Sequence, residues 1–324
     1  MSVALTKQPE ISELFANLIK NNFLQHAYIF EGVSGTGKYE MALWVAQGLL
    51  CQNRSNEGYP CLACSACLRI QSGEHPDIVT IEPEGLSIKV SQVRAIKEEF
   101  SKGGMESRQK ILIIKDMEKM TPNAANSLLK FIEEPEGEFT IMLLTTEVQQ
   151  LLPTIVSRAQ VIHFPVRDTN VRIEDIMNRE VPKEYATLLA YLTQDTDRAL
   201  EIYEDETFNE TVQTVWEWFL KLQEDKDQAF IYVQTNVARI GNNRSSATLI
   251  IDLLILIYRD LTAVCFEQDR VLAFSKYESR LAEFKYSMDV TKLPDILATL
   301  LEGQKKLRRH VGIQGVFEQI ALRV

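Results

Sequence analysis

Hydrophobic residues in the first half of the chain follow two alternating patterns. Short runs rich in β-branched and aromatic residues predict strands, and longer segments with apolar residues every three or four positions predict helices. The predicted strands are Ala27–Glu31, Ile78–Glu82, Ile111–Ile114, Phe139–Leu144 and Val161–Phe164. The predicted helices between them are Lys38–Leu50, Ser91–Phe100, Pro122–Glu134 and Leu152–Ser157. Strands that alternate with helices are typical of an α/β fold whose parallel sheet is covered on both faces.

The helix after Thr121 has clear predicted boundaries. Thr121 is a suitable N-cap, Pro122 suits the first helical position, and Pro135 ends the helix. One face carries apolar residues at helical spacing, and we expect that face to pack on the sheet. Its members are Ala125, Leu128, Leu129 and Ile132.

The pattern changes near Pro165, after which strand signals fade. Long amphipathic segments follow, and they predict an all-helical second half. These segments are Leu188–Ile202, Thr211–Leu222 and Ile250–Cys265. We interpret this half as a small helical lid followed by a helical bundle, with boundaries near residues 165 and 208.

The composition is that of an ordinary globular protein, with 324 residues, 45% hydrophobic residues and a net charge of −10. This charge argues against sequence-independent coating of nucleic acid, which depends on Lys and Arg. One basic cluster is interpreted as a solvated helix face. It consists of Lys305, Lys306, Arg308 and Arg309.

The start of the chain, MSVALTKQPEISELF, acquires charge early and lacks the apolar segment of a secretory signal. No apolar run approaches the roughly 20 residues that span a bilayer. We therefore expect a cytoplasmic protein without a membrane partner.

A glycine-rich loop between the first predicted strand and its helix matches the phosphate-loop pattern G-x-x-x-x-G-K. Backbone N–H groups and the lysine of such a loop surround nucleotide phosphates. The candidate nucleotide-binding residues are Gly32, Gly35, Gly37 and Lys38.

The residues that should support magnesium at this loop are missing. Tyr39 stands where Ser or Thr coordinates the ion, and a phenol oxygen lies too far out to replace the short hydroxyl. Lys115 and Asp116 follow the strand ILII, where an ATPase usually has Asp and then Glu. Two losses at one metal centre predict that the chain does not hydrolyse ATP. The loop is then either a tight turn or a weak nucleotide site that uses Lys38 and the loop amides.

Four cysteines lie in one short insertion with the spacing C-x9-C-x2-C-x2-C. Two consecutive C-x2-C steps bring thiolates within reach of one ion, and four sulfurs suit structural zinc. Disulfides are not expected in a reducing cytoplasm, and a redox pair would not need four cysteines. The predicted ligands are Cys51, Cys61, Cys64 and Cys67. Cys265 is interpreted as a core residue and His75 as a loop histidine.

Several short motifs in order resemble the AAA+ subunits of bacterial clamp loaders. They are His26-Ala27-Tyr28-Ile29-Phe30, the glycine loop, the four-cysteine insertion, His75-Pro76-Asp77, Asn126-Ser127-Leu128-Leu129-Lys130 with Glu133-Glu134-Pro135, and Ser157-Arg158. The resemblance covers roughly residues 5 to 165. Within the family, the defective magnesium site points to a non-hydrolysing subunit rather than to the gamma/tau motor.

The resemblance implies an architecture and partners. A RecA-like AAA+ module would span residues 1–164 with a zinc-binding insertion at 51–67, followed by a lid at 165–208 and a collar at 209–324. The implied partners are the gamma/tau ATPases and the delta subunit, which opens the clamp ring, with the sliding clamp and primed DNA reached through the complex.

The resemblance also implies a role for Arg158. In clamp loaders the Ser-Arg position faces the nucleotide of the adjacent subunit, so Arg158 would act in trans as an arginine finger. Here Ala159 replaces the family's usual cysteine in the next position. The alternative for Arg158 is a surface ion pair with a carboxylate such as Glu147. The rival functions for the chain are an active gamma/tau-like ATPase and a zinc-dependent nucleic-acid binding module.

Overall fold

A computed structural model describes residues 3–100, 106–107, 109–133 and 138–324. The chain divides into two compact units, Met1–Arg167 and Asp168–Val324. The first unit holds the sheet, and the second is built from helices.

Five parallel strands form one sheet in the order β2-β3-β4-β1-β5. The strands are β1 Ala27–Glu31, β2 Ile78–Ile81, β3 Gln109–Ile114, β4 Glu138–Thr145 and β5 Gln160–His163. This confirms the predicted parallel α/β arrangement. β3 begins two residues earlier than predicted, because Gln109 and Lys110 pair with Glu138 and Phe139 of the neighbouring strand. Polar residues in a buried ladder have no local apolar signal.

Helices cover both faces of this sheet, and alternate strand residues point to opposite faces. The helices of the first unit are α1 Val3–Lys7, α2 Pro9–Lys20, α3 Lys38–Leu50, α4 Ser65–Gln71, α5 Val90–Phe100, α6 Pro122–Glu133 and α7 Pro153–Val156. Ile29 and Leu112 lie in one buried cluster with residues of α5, α6 and α7. Tyr28 and Ile111 lie in the other, with residues of α2, α3 and α4.

The N-terminus of α6 agrees with the sequence. The backbone N–H of Ala124 donates to Thr121 Oγ1 at 3.4 Å, which confirms the predicted cap. The predicted apolar face packs against the sheet, and its members are Ala125, Leu128, Leu129 and Ile132. Glu134 and Pro135, the predicted end of this helix, lie outside the described residues.

The second unit is helical, as predicted. Its helices are α8 Thr169–Met177, α9 Lys183–Leu192, α10 Thr196–Glu204, α11 Phe208–Glu224, α12 Lys226–Tyr232, α13 Ala238–Ile240, α14 Arg244–Cys265, α15 Glu278–Phe284, α16 Leu293–Arg308 and α17 Ile313–Arg323. A π-helical segment, Val233–Val237, joins α12 to α13. One hydrophobic core runs from Ile173 to Ala321. The division into lid and collar near residue 208 stays a prediction.

The expectation of one amphipathic segment over Leu188–Ile202 was wrong. Helix α9 ends at Leu192 and α10 begins at Thr196. Between them, the Asp195 carboxylate accepts hydrogen bonds from the backbone N–H groups of Asp197 and Arg198. This cap starts a new helix. The helical spacing of apolar residues continues from α9 into α10, so periodicity alone predicts one continuous helix.

None of the helices in the described part of the chain is long and apolar enough to cross a bilayer.

Candidate functional site

The glycine-rich loop lies where the sequence predicts, between the carboxyl end of β1 and the start of α3. Gly35 and Gly37 have φ angles of 83° and 90°, a conformation that favours glycine. A Cβ added to Gly32 would lie 2.7 Å from the carbonyl oxygen of Phe164. The Thr36 hydroxyl donates to the carbonyl oxygen of Val33 at 2.9 Å. The loop therefore keeps the tight turn of a phosphate loop.

Lys38, the predicted phosphate-binding lysine, bonds to its own loop. Its Nζ donates to the carbonyl oxygens of Gly32 at 2.5 Å and Val33 at 2.8 Å. Burial lowers the pKa of Lys38, and nearby carboxylates, of which Glu118 has the largest effect, act in the opposite direction. The ammonium group is thus solvated by backbone carbonyl oxygens within the loop.

The two residues that replace the usual magnesium-supporting groups contact each other. The Nζ of Lys115 lies 3.8 Å from the centroid of the Tyr39 ring, a cation–π distance. The same Nζ lies 2.9 Å from Glu82 Oε1. The sequence identified these substitutions as two separate losses. In the structure they form one contact that places the ammonium group of Lys115, paired with Glu82, beside the start of α3.

Two side chains near the N-terminus tie the loop to its surroundings. The Nε2 of Gln8 donates to the carbonyl oxygens of Thr36 and Pro165, at 3.0 Å each. The Nζ of Lys7 lies 2.7 Å from Glu40 Oε1. Gln8 and Lys7 are both buried. Sequence reasoning missed both residues, because their partners are far away along the chain.

A cavity of about 710 Å³ opens beside the loop. Its lining comes from the start of α2, the ends of β1 and β5, and the loop itself, and includes Gln8, Gly32, Val33, Thr146, His163 and Phe164. The Nδ1 of His163 pairs with Glu31 at the ends of the two strands.

The four cysteines of the insertion converge as the sequence predicts. The Sγ atoms of Cys51, Cys61, Cys64 and Cys67 all lie within 4.8 Å of one another, and those of Cys51 and Cys64 are 3.9 Å apart. Sulfurs at the corners of a tetrahedron with metal–sulfur bonds of about 2.3 Å lie about 3.8 Å apart. The observed arrangement therefore fits a four-coordinate ion.

Backbone N–H groups point at the cysteine sulfurs. Those of Cys61 and Cys64 lie 3.3 Å from the Sγ atoms of Cys51 and Cys61, respectively. Partial burial raises the pKa of Cys64, but N–H bonds from Cys67 and Gln52 and the neighbouring thiols bring it to about 6. Thiolates are the form that binds metal. The site could thus hold a metal ion with protein ligands alone.

The insertion packs tightly on α2 and α3. Gly58 has a φ angle of 93°, and a Cβ added there would lie 2.2 Å from the carbonyl oxygen of Ala16. The Trp44 and Tyr59 rings meet edge to face at 5.8 Å. The buried Gln47 amide donates to the carbonyl oxygen of Cys67 at 2.9 Å. The cysteine site is therefore anchored to the module and is not an independent finger.

We expect Gly58→Ala to destabilise the first unit strongly. The clash with Ala16 costs about 1–3 kcal/mol and the left-handed backbone about 1–2 kcal/mol more. Gly73→Ala is the matched control, because its φ is 76° and nothing lies within 4 Å of the added Cβ. Thermal unfolding of both variants measures the difference. Equal losses of stability would contradict the close packing of Gly58.

Arg158 pairs with Glu133 at the end of α6, with its Nη2 2.8 Å from Glu133 Oε1. Its Nη1 donates to the carbonyl oxygen of Thr154 at 3.0 Å. The suggested surface partner, Glu147, instead accepts a hydrogen bond from Gln150 at 2.6 Å. Proximity along the sequence favoured Glu147, but the fold brings the end of α6 beside the turn before β5.

Arg158 and the glycine loop lie at opposite ends of the parallel strands. β1 and β5 are parallel, with Tyr28 paired to Gln160 and Glu31 to His163. Arg158 precedes the amino end of β5, whereas the loop follows the carboxyl end of β1. The register separates them by six strand positions, about 20 Å at the usual rise per residue. Arg158 therefore cannot reach the loop of its own chain.

Comparison with known proteins identifies the family. A family model described as DNA polymerase III, delta subunit, matches residues 7–168. DNA polymerase III subunit delta' of Bacillus subtilis is 35% identical over 315 residues, which cover 97% of this chain and 95% of that protein. The chain belongs to the delta-prime family of DNA polymerase III subunits. The family predicted from the motif series is confirmed.

Other proteins similar to this delta-prime family member are also subunits of DNA polymerase III or related to them. DNA polymerase III subunit tau of Escherichia coli is 25% identical over 341 aligned positions, covering 95% of this chain and 51% of tau. The crystal structure of a DNA polymerase III gamma subunit-related protein from Thermotoga maritima has a TM-score of 0.51 at 19% identity, covering 96% of this chain and 97% of that one. This likeness supports the fold.

Glu118 is a residue of the delta-prime-family site that the sequence analysis did not identify. Its carboxylate accepts hydrogen bonds from the hydroxyls of Thr145 at 2.8 Å and Thr146 at 2.7 Å. Glu118 lies two positions after Asp116. Its acidic side chain, close to the place where an ATPase usually has Asp and then Glu, was the signal in the sequence that could have identified it. Asp116 itself pairs with Lys119 at 2.9 Å.

His75 and Cys265 lie apart from the cysteine cluster. His75 is buried, and its Nδ1 accepts a hydrogen bond from the backbone N–H of Asp77 at 3.3 Å. Burial lowers the pKa of His75. Cys265 is half-buried at the end of α14 against the helical core, in agreement with its interpretation as a core residue.

Proposed function

We propose that this chain is a non-hydrolysing stator of the DNA polymerase III clamp loader. It binds the gamma/tau and delta subunits and supplies Arg158 in trans to a neighbouring ATP site. In this way it contributes to loading the sliding clamp onto primed DNA. The observation that carries the proposal is the Lys115–Tyr39 contact, which puts an ammonium group where an ATPase needs support for magnesium.

The absence of hydrolysis follows from the charges around the loop. Phosphoryl transfer depends on a metal ion that bridges the phosphates and on a residue that positions water. Lys115 offers no carboxylate to support a divalent cation, and Tyr39 offers no short hydroxyl to bind one. Asp116, in the position of the usual glutamate, is engaged by Lys119. ATP binding is therefore weak or absent.

The stator role follows from contacts that the chain makes with itself. Gln8 holds both the loop and the segment after β5, and Lys7 holds the first turn of α3 through Glu40. Lys38 bonds to the loop carbonyls. These contacts hold the loop in place through groups of the chain itself, as a stator would require.

A structural zinc ion in the cysteine site completes the proposal. Four cysteine sulfurs leave no coordination position for water or substrate, so the ion would stabilise the insertion and not catalyse a reaction. Its chemistry is limited to holding Cys51, Cys61, Cys64 and Cys67 together.

The isolated chain is expected to show no magnesium-dependent ATP hydrolysis above background. Tyr39→Ser with Lys115→Asp should strengthen magnesium-dependent nucleotide binding, because the changes remove the ammonium group and restore a hydroxyl and a carboxylate. Turnover should stay absent, since Asp116 replaces the usual glutamate. Steady-state hydrolysis and equilibrium binding of a fluorescent ATP analogue measure the two properties.

Lys305→Ala is the control for this experiment, because it removes an exposed positive charge on α16, outside the unit that holds the glycine loop. Robust hydrolysis by the pure, unmodified chain would contradict the stator proposal. It would favour the alternative, an active gamma/tau-like ATPase.

A further inference from the structure

The guanidinium of Arg158 is held by acceptors of its own chain. Its Nη2 lies 2.8 Å from Glu133 Oε1. Its Nη1 donates to the carbonyl oxygen of Thr154 at 3.0 Å and to Ser157 Oγ at 3.3 Å. Both terminal nitrogens are thus engaged, although the side chain remains 40% exposed. An arginine has five N–H donors, so the group can hold these contacts and still face solvent.

The carboxylate of Glu133 changes what Arg158 offers to a phosphate. A guanidinium paired with a carboxylate has no net charge, so it attracts an approaching polyanion less than a lone guanidinium does. The pair is weak, because Glu133 is 44% exposed and water screens it. A multiply charged phosphate can therefore displace Glu133 from Arg158.

The pair is not needed to build the fold. Glu133 lies at the end of α6 on the surface, away from the apolar face that packs on the sheet. An exposed ion pair contributes little to the stability of a domain. Its main physical effect falls on the position and charge of Arg158.

We propose that Glu133 restrains Arg158 in a neutral pair and releases it when the phosphates of a neighbouring subunit's nucleotide compete for the guanidinium. This inference rests on the proposed action of Arg158 in trans. It makes Glu133 a positioning residue that sets how readily the arginine engages. The restraint limits hydrolysis when the phosphates of the neighbouring nucleotide are badly aligned with Arg158.

The test uses the clamp loader rebuilt with Glu133→Gln at matched assembly. The neutral amide keeps the size of the side chain but removes the competing charge. We expect kcat/KM for ATP at the adjoining site to rise about twofold to fivefold, the range that an exposed ion pair allows. The rise should shrink as salt is added, because salt screens the pair in the unmodified chain. Glu147→Gln is the matched control, since Glu147 is an exposed glutamate that bonds to Gln150 and not to Arg158.

The same substitution in an Arg158→Ala background separates the possible outcomes. If Glu133 acts through Arg158, Glu133→Gln has no effect there. An equal rise in both backgrounds would overturn the inference. An unchanged or lower kcat/KM for Glu133→Gln alone, with Arg158→Ala still impaired, would overturn the restraint but leave the arginine's role intact. A fully active Arg158→Ala complex would instead contradict the proposed function, in which Arg158 acts on a neighbouring ATP site.

Discussion

Arg158→Ala is expected to lower ATP hydrolysis at the adjoining site of the assembled clamp loader by a factor on the order of 10³ or more, the range known for arginine fingers. The guanidinium would stabilise charge that develops on the transferred phosphate. Its place at the amino edge of the sheet keeps it away from its own loop, so any catalytic effect has to fall on a neighbour. The rate of the whole complex should fall by the share that this site contributes.

DNA-stimulated hydrolysis and clamp loading by rebuilt complexes measure this effect at matched assembly. Arg158→Lys should restore activity only in part, because an ammonium group lacks the planar fork of a guanidinium. Arg198→Ala is a control, since Arg198 is an exposed arginine that also pairs with a glutamate, Glu201. Folding and subunit binding should be unchanged in all three variants. Normal hydrolysis and clamp loading with Arg158→Ala would show that Arg158 only forms a surface ion pair and has no role in hydrolysis.

Loss of one cysteine ligand is expected to have the second large effect. The purified chain should contain one zinc ion, and Cys64→Ser should reduce this content to near zero at equilibrium with a chelator. Binding of structural zinc is worth about 10–16 kcal/mol in small zinc-dependent folds, and this energy is coupled to folding. Residues 51–71 should therefore exchange backbone hydrogens much faster in the variant.

Elemental analysis and hydrogen exchange together check the prediction. Cys265→Ser is the control, because Cys265 lies at the end of α14 in the other compact unit and should not change the zinc content. The second unit should keep its protection in Cys64→Ser, since it has its own hydrophobic core. Metal-free chain from zinc-supplemented growth would rule out the zinc proposal.

The two predictions differ in what they require of the assembly. The predicted zinc binding can be tested on the isolated chain, because its four proposed ligands all come from one insertion. The proposed action of Arg158 requires another subunit that brings a nucleotide to it. A folded, zinc-loaded chain that fails to stimulate its neighbour would therefore separate the stability of the module from its function.

Local sequence patterns were sufficient to predict most helices and strands and the chemistry that short segments encode. Strand runs such as Ala27–Glu31 and the helix after Thr121 have local periodicity and caps, which act within a few residues. The glycine loop and the four cysteines have fixed spacing, and their geometry follows from that spacing. The missing magnesium support was visible for the same reason, since Tyr39 occupies a defined place in a short motif.

The contacts between residues distant in sequence became known from the folded structure. Tyr39 and Lys115 form one contact because the sheet order places β3 near β1 with only β4 between them. Gln8 joins Thr36 to Pro165, and Glu133 meets Arg158, across long stretches of chain. Local patterns do not specify such pairs, because they depend on strand order and on how helices pack over the sheet. The Glu133–Arg158 ion pair and the contacts of Gln8 with the loop are therefore properties of the fold.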